Sequence, residues 1–177
     1  MKEKTSAWRN PRVVLAIIIA AAVLGSITVL WPKPSQKAPA ITFTLITGNK
    51  LSLQHLRGRP VLVFFWATTC KICIAKTPDM NSLYQQLKPE GLEMIAVAMP
   101  YDPPTRVVAV AKKMKMPYPV ALDINAEVVR AFDNVTITPT TILIAPNGNI
   151  TWRKQGKFDI GRLKSRIREL NQNSTEM

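Results

Sequence analysis

Cys70 and Cys73 are the residues whose type and spacing best fit chemistry, because a Cys-x-x-Cys pair can alternate between a dithiol and a disulfide. They are the only two cysteines among 177 residues. A disulfide between them closes a very short loop, which restricts the unfolded chain little. We therefore interpret the pair as a redox centre rather than a structural crosslink. A zinc site is disfavoured because zinc needs four ligands and His55 is the only histidine.

The flanking segments predict how this pair is positioned. Residues 61–66 are continuously apolar, which is typical of a strand buried on both faces. Residues 71–88 have a helical pattern, and Pro78 predicts a kink. The apolar positions expected to face inward are Ile72, Ile74, Leu83, Tyr84 and Leu87. Cys70 then lies at the amino end of a helix, where free N–H groups and the helix dipole favour a thiolate.

The two cysteines are predicted to differ in role. Lys71 adds a positive charge next to Cys70, which also favours its thiolate. Cys73 lies one turn further into the helix and is expected to be more buried. Cys70 is therefore expected to form the mixed disulfide with a partner, and Cys73 to displace that partner. Stabilising the thiolate makes the disulfide a modestly better oxidant.

The N-terminal sequence predicts a membrane anchor. Residues 13–31 form an uncharged run of nineteen, close to the roughly 20 apolar residues that span a bilayer. Residues 1–12 are basic, which predicts a cytoplasmic N-terminus. A linker at 32–40, a domain at 41–170 and a flexible tail at 171–177 complete the predicted organisation. A cleaved signal peptide is the alternative interpretation of the apolar run.

Either interpretation exports the cysteine pair. The predicted location is the inner membrane of a bacterium, crossed once, with the catalytic domain in the disulfide-permissive periplasm. The chain has a formal net charge of +13, and residues 38–177 contain 18 Lys and Arg against 10 Asp and Glu. Export and the dispersed charge argue against nucleic acid as a partner. Solubility and weak attraction to anionic headgroups or acidic partners explain the charge better.

Strand-like and helical segments alternate after the linker, which predicts an α/β domain. Residues 41–53 predict an N-terminal β-hairpin, and Asn147-Gly148 predicts the turn of a second hairpin. Further strands are predicted at 92–99, 120–122, 140–145 and 150–155, and further helices at 105–116, 125–132 and 158–170.

The order of several motifs resembles the thioredoxin fold. Phe65-Trp66-Ala67 precedes the cysteine pair, Pro78 follows it, and Thr138-Pro139-Thr140 precedes a strand. The long spacing between Cys73 and Pro139, the membrane anchor and the N-terminal hairpin resemble the TlpA/ResA branch, which includes ScsD-like proteins. The resemblance covers residues 38–170. It implies a thioredoxin-like fold with an N-terminal β-hairpin and an inserted βα unit, preceded by one transmembrane helix.

Members of this branch are extracytoplasmic thiol–disulfide oxidoreductases, tethered to the membrane or secreted. The resemblance therefore implies an enzyme that exchanges disulfides with protein substrates. It also implies a membrane redox partner that resets the pair, no cofactor beyond the Cys70–Cys73 disulfide, and no metal. The direction of electron flow, and a choice between cytochrome c maturation, copper stress and a general role, stay open.

The resemblance also implies roles for individual residues. Cys70 matches the nucleophile and Cys73 the resolving cysteine of the family. Pro139 matches the proline that is cis in this fold, and Thr138 would supply backbone hydrogen bonds to a substrate strand.

Trp66, Lys71 and Ile72 complete the candidate substrate-binding site. Trp66 matches the aromatic residue packed beside the active site, although simple core packing explains it equally well. Lys71 and Ile72 lie between the cysteines. Gly156 resembles the glycine near the substrate groove.

Four positions depart from the family pattern. Thr69 replaces a Trp that many relatives have before the first cysteine, and Ile72 replaces a Pro before the second. Phe64 replaces the buried acid of thioredoxin, and Lys76 replaces a glutamate of some ResA-type reductants. No obvious acid is therefore left to take the proton from the resolving thiol, and an oxidant or isomerase role stays open.

Two other functional classes are weighed against this interpretation. A thiol peroxidase of peroxiredoxin type would have a proline and a threonine before its cysteine. Thr69 is present, but Ala67 occupies the position expected for the proline turn. A non-catalytic copper-binding dithiol protein is the other alternative.

Overall fold

The computed structural model describes residues 11–12, 14–15, 17–19 and 36–175. Most of the predicted membrane span 13–31 lies outside these described residues, and those of its residues that are described are helical and exposed. Among the described residues, no helix is both long enough and apolar enough to cross a membrane.

The cysteine pair lies in a compact unit, Ser35–Met177. Within the described part of this unit, seven strands form one sheet in the order β2-β1-β5-β4-β3-β6-β7. The strands are β1 (Thr42–Leu45), β2 (Lys50–Ser52), β3 (Val61–Trp66), β4 (Glu93–Ala98), β5 (Val120–Leu122), β6 (Thr140–Ile144) and β7 (Ile150–Gln155). The three central strands β3, β4 and β5 are parallel, and antiparallel hairpins form both edges. The predicted α/β class and both predicted hairpins are confirmed.

Helices cover both faces of the sheet. They are α1 (Lys71–Leu87), α2 (Pro104–Lys113), α3 (Glu127–Ala131) and α4 (Ile160–Thr175), with a 3-10 helix at Leu53–Leu56. Leu62, Phe64 and Trp66 of β3 pack against α1, α2 and α4. Val63 and Phe65 face the other way, toward α3 and the 3-10 helix. Because β3 has an apolar core on each face, it needs no alternation of polar residues, as its sequence predicts.

Helix α1 starts immediately after Cys70 and runs unbroken through Pro78. Its buried face includes Cys73 and Thr77. The prediction that Ile72 faces inward is wrong, because this side chain is 41% exposed. Consecutive helix positions are rotated by about 100°. Burial of Cys73 therefore turns Ile72 away from the core and toward solvent.

Several predicted boundaries shift. Helix α2 begins at Pro104, because the missing proline N–H costs nothing in the first turn of a helix. The end of the predicted linker belongs to the folded unit, since the Ala38 N–H donates to the Gly148 carbonyl at 2.9 Å. Helix α4 continues to Thr175, into the predicted tail, and Asn171 Nδ2 anchors it by donating to the Glu90 carbonyl at 2.8 Å.

Glu93 links β4 to the segments on either side of it. It is only 9% exposed and accepts hydrogen bonds from Arg59 Nη1 at 2.5 Å and from Lys88 Nζ at 2.8 Å. The hydrogen bond with Glu93 raises the pKa of Lys88. The Lys88–Glu93 interaction therefore stabilises the folded state, and its contribution is complete below the unfolded-state pKa of Lys88. It is lost as the pH rises through the higher folded-state pKa.

We expect Glu93→Gln to lower the free energy of unfolding by about 1–3 kcal/mol, because it leaves two cations without their carboxylate. Urea denaturation of the full-length chain measures this loss. Glu169→Gln is the matched control, since Glu169 is exposed on α4 and should change stability by less than about 0.5 kcal/mol. Equal effects of the two substitutions would contradict this role of Glu93.

Candidate active site

Cys70 and Cys73 form a disulfide with an S–S distance of 2.18 Å and Cα atoms 5.2 Å apart. Cys70 is the N-cap of α1, and its Sγ accepts a hydrogen bond from the Cys73 N–H at 3.1 Å. When the pair is reduced, this N–H and the helix dipole stabilise negative charge on the Cys70 sulfur. The predicted position of Cys70 at the helix terminus is confirmed.

The two cysteines differ in access to solvent. Cys70 is half-buried, whereas Cys73 is 0% exposed and belongs to the core beneath α1. Because thiol–disulfide exchange needs a direct approach of one sulfur to another, only Cys70 is open to an incoming thiolate. The predicted difference in burial is confirmed.

The loop between β3 and α1 is held by Asp102, a residue that the sequence analysis did not single out. Asp102 is 5% exposed, and its Oδ2 accepts from the Thr68 N–H at 2.5 Å. Its Oδ1 accepts from Thr68 Oγ1 at 2.7 Å. The Cys70 N–H also donates to the Ala67 carbonyl at 3.1 Å. These bonds fix the short segment that presents Cys70.

A groove of about 470 Å³ opens beside the cysteine pair. Residues from the first turns of α1 line it together with residues from the β6 and β7 ends: Lys71, Ile72 and Lys76, and Pro139, Gly156 and Phe158. Lys76 Nζ forms an ion pair with Asp79 at 2.9 Å and lies 5.6 Å from the Phe158 ring centroid. The lining of the groove therefore combines apolar side chains with the basic side chains of Lys71 and Lys76.

The segment before β6 forms one side of this groove. The Thr138–Pro139 peptide bond is cis, as the thioredoxin resemblance implies. The Pro139 carbonyl accepts a hydrogen bond from the Gly156 N–H at 2.7 Å. Within the described part of the chain, neither the N–H nor the carbonyl of the half-buried Thr138 has a hydrogen-bond partner. These two groups are thus available to an extended peptide.

The remaining sequence-predicted residues fall into two groups. Lys71 and Ile72 are exposed and line the groove. Trp66 is 0% exposed and packs in the same core as Cys73, so its ring supports the site from beneath and does not line the groove. Phe64 is also fully buried in that core. The chain thus has an aromatic ring where thioredoxin carries a buried acid.

We expect Lys71→Gln to make the Cys70–Cys73 disulfide less oxidising, because a cation next to the thiolate is lost. Each unit of change in the thiol pKa corresponds to about 30 mV for a two-electron couple. We therefore expect a fall of up to about 30 mV, measured by equilibration with glutathione. Lys113→Gln, on exposed α2 surface, should leave the potential unchanged. An unchanged or higher potential for Lys71→Gln would contradict this role.

Among the described residues, no cluster of three or more His, Cys, Asp and Glu side chains could hold a metal ion. His55, the only histidine, lies exposed on the 3-10 helix.

Comparison with known proteins agrees with this geometry. The family model described as Redoxin matches residues 33–169. The thiol–disulfide oxidoreductase ResA of Bacillus subtilis is 31% identical over 157 residues, which is 85% of each chain. ResA of Bacillus thuringiensis is 29% identical over 138 residues, covering 76% of this chain and 77% of that protein.

The fold has relatives among solved structures. A solution structure of a thioredoxin candidate from Neisseria meningitidis has a TM-score of 0.73 and 29% sequence identity, covering 81% of this chain and 95% of that one. The activity in the names of the sequence relatives, thiol–disulfide oxidoreduction, agrees with the geometry of the site. The chain belongs to the Redoxin family and is a ResA-like thiol–disulfide oxidoreductase of thioredoxin-like fold.

Proposed function

We propose that this enzyme exchanges disulfides with protein substrates outside the cytoplasmic membrane, to which residues 13–31 anchor it. The observation that best supports disulfide exchange is the accessible Cys70 sulfur, which is bonded to a fully buried Cys73 and lies beside an open groove. The uncharged run after a basic N-terminus supports the anchor and its orientation.

The proposed reaction begins with a substrate thiolate that attacks the Cys70 Sγ. A substrate–Cys70 disulfide forms, and the Cys70–Cys73 bond breaks with its electron pair going to the Cys73 sulfur. A second substrate thiolate then attacks the substrate sulfur of the mixed disulfide and releases the Cys70 thiolate. The substrate dithiol is oxidised to a disulfide, and the enzyme is reduced by two electrons. The reverse sequence reduces a substrate disulfide.

Thr138 supports a protein substrate rather than a small thiol. An extended peptide in the groove would pair with the free N–H and carbonyl of Thr138, as in strand addition to an exposed edge. The wall formed by Ile72 and Phe158 offers apolar contact to the side chains of such a peptide. This arrangement brings the peptide cysteine to Cys70.

The groups around Cys70 favour the oxidising direction. The Cys73 N–H, the helix dipole and Lys71 all stabilise the thiolate, and thus the reduced enzyme. Phe64 and Lys76 replace the acids that promote proton transfer from the resolving thiol in some reductive relatives. A membrane redox partner would reoxidise the pair after each turnover.

The exchange is tested by mixing the oxidised full-length chain with a peptide that carries two reduced cysteines. We expect one peptide disulfide to form for each enzyme disulfide consumed, read by mass spectrometry after acid quenching. Absence of exchange, with rapid consumption of hydrogen peroxide, would instead support a thiol peroxidase. Absence of exchange, with tight stoichiometric Cu(I) binding, would support a copper-binding dithiol protein.

The location is tested separately by reporter fusions. Alkaline phosphatase joined after residue 175 should be active, because this reporter folds only outside the cytoplasm. A fluorescent protein that needs the cytoplasm should be dark at the same position. The opposite pattern would overturn the proposed orientation without affecting the exchange chemistry.

A further inference from the structure

We propose that the enzyme prefers substrates with an acidic segment beside the reactive cysteine, held by a basic surface that continues from the groove. This surface, the basic extension, consists of Lys154, Lys157, Arg162 and Arg166. The inference rests on the proposed function and names the class of substrate that the same site would take.

The basic extension is continuous with the active-site groove. A second depression of about 330 Å³ is lined by all four of its cations. Lys157 and Phe158 line both this depression and the groove beside the cysteines. The Phe158 ring stacks edge-on with Trp152, with 5.7 Å between centroids, and forms the boundary between the two. A chain segment leaving the groove past Phe158 therefore enters the basic extension directly.

The cations of the extension are not neutralised within the protein. All four side chains are exposed, and none forms an ion pair within the described residues. Asp159 is the one carboxylate that lines the second depression, and its Oδ1 already accepts from the Arg162 backbone N–H at 2.7 Å. Positive charge therefore exceeds negative charge along the whole path.

Several cations elsewhere on the domain form ion pairs. Arg59 and Lys88 bind Glu93, and Arg168 binds Glu90 at 2.9 Å. The Arg168 guanidinium lowers the pKa of Glu90, which keeps that carboxylate charged. The four cations of the basic extension, by contrast, form no ion pair with a described residue and lie together next to the active-site groove. A path lined by one sign of charge attracts an oppositely charged segment and raises its rate of association.

The occupant that best fits this path is a polypeptide, because the path begins at Lys71 and Ile72, between the two cysteines, and at Pro139, the neighbour of Thr138 with its free backbone groups. An anionic membrane surface would match the charge, but it offers no thiol to Cys70. An extended chain advances by about 3.3 Å per residue. Carboxylates several residues along the chain from the substrate cysteine are therefore the ones expected to meet the extension.

The test uses three peptides that share one Cys-x-x-Cys core and differ in a flank of four Glu, four Gln or four Lys. Their oxidation by the full-length enzyme is normalised to their reaction with hydroxyethyl disulfide, an uncharged oxidant, which corrects for the intrinsic thiol reactivity. We expect the Glu peptide to react about tenfold faster than the Gln peptide at low salt. We expect this ratio to approach one in 0.5 M NaCl, where the screening length is a few ångströms.

A charge-reversed variant identifies the surface responsible. Lys154→Glu, Arg162→Glu and Arg166→Glu together should abolish the preference for the Glu peptide. Arg106→Glu, Lys112→Glu and Lys113→Glu, on exposed α2 surface, change the net charge by the same amount and should preserve the preference. Equal loss in both variants would show that total charge alone is responsible, and would overturn the proposal.

Two further outcomes separate this inference from the proposed function. Oxidation of all three peptides at one normalised rate would overturn the acidic preference and leave the exchange activity established. Oxidation of none of them would overturn both. The variant with Lys154→Glu, Arg162→Glu and Arg166→Glu is also tested for binding to phosphatidylglycerol vesicles. If it lost this binding but kept the preference for the Glu peptide, the extension would be a lipid-binding surface, which contradicts the proposal.

Discussion

Cys73→Ser should convert the enzyme into a trap for its own substrates. When the Cys70 thiolate of this variant attacks a partner disulfide, a mixed disulfide forms and one partner thiol is released. The serine hydroxyl cannot displace the partner from Cys70, so the mixed disulfide decays only when a thiol of the partner or of the solution attacks it. A resolving group held close to its target has an effective concentration that no external thiol in solution reaches. We expect reduction of a disulfide-bonded peptide by the thiol form of the enzyme to fall by about 1,000-fold or more in this variant, with the mixed disulfide between Cys70 and the peptide as the accumulating species.

The measurement is non-reducing electrophoresis and mass spectrometry of full-length Cys73→Ser after alkylation in acid. Bands that disappear on reduction should contain the variant joined through Cys70 to its partners. Cys70→Ser is the informative counterpart, since it leaves only the buried Cys73 and should trap far less. Recovery of the same partners with Cys70→Ser, Cys73→Ser would contradict the prediction, because that variant has no thiol.

The trapped partners also test the acidic preference. Their cysteines should have more Asp and Glu within eight residues than the other cysteines of exported proteins from the same cells. A trapped set with no acidic bias would leave the exchange chemistry intact and contradict the role of the basic extension.

The central strands could be predicted because their sequences permit few alternatives. Residues 61–66 and 93–98 are buried at every position, and a short run without polar alternation fits a strand covered on both faces. The turn between β6 and β7 could also be predicted from the sequence. Gly148 has a φ of +84°, a conformation that glycine adopts without steric cost and that Asn147-Gly148 therefore predicts.

Helix faces were predicted less well, because local apolar character does not define the rotation of a helix. Ile72 is more apolar than Thr77, yet Thr77 is buried and Ile72 is exposed. The rotation of α1 is set by Cys73, Met80 and Leu87, which share one face at helical spacing. The exposed Ile72 is then available to the groove, where an apolar contact suits substrate binding.

The order of the strands could not be obtained from local patterns. Strand β5 has three residues, pairs parallel with β4 and antiparallel with β1, and thereby joins the N-terminal hairpin to the central sheet. Nothing in so short a segment specifies two partners from distant parts of the chain. Pairing over such distances is decided by which arrangement buries the apolar faces of the whole sheet.

Asp102 was missed for a related reason. Asp102 follows β4 in a proline-rich segment that indicates only a break before a helix. Its partner, Thr68, follows β3 and is separated from it by 34 positions. Since β3 and β4 are parallel neighbours, their carboxyl ends meet at the same edge of the sheet. Polar residues directly after two such strands were thus the signal that could have predicted this contact.

Asp102→Ala should loosen the loop that carries Cys70. The substitution removes both acceptors of Thr68 and leaves a part-buried N–H without a partner, which costs about 1–3 kcal/mol of unfolding free energy. The Thr68 amide should exchange its hydrogen faster by about tenfold for each 1.4 kcal/mol lost locally. We also expect slower oxidation of the dithiol peptides, because the Cys70 sulfur is positioned less well for attack.

Asp123→Ala is a matched control for this effect. Asp123 is also a buried carboxylate with two donors, the N–H groups of Val128 and Val129 at 2.9 and 2.8 Å, but it holds helix α3 and not the Cys70 loop. Its loss should destabilise the fold by a similar amount without accelerating hydrogen exchange specifically at Thr68. Thr68→Val removes only the hydroxyl donor and should give a smaller version of the Asp102→Ala effect. If Asp102→Ala and Asp123→Ala lowered peptide oxidation equally at equal stability, Asp102 would be a stabilising residue only, and its positioning of Cys70 would be disproved.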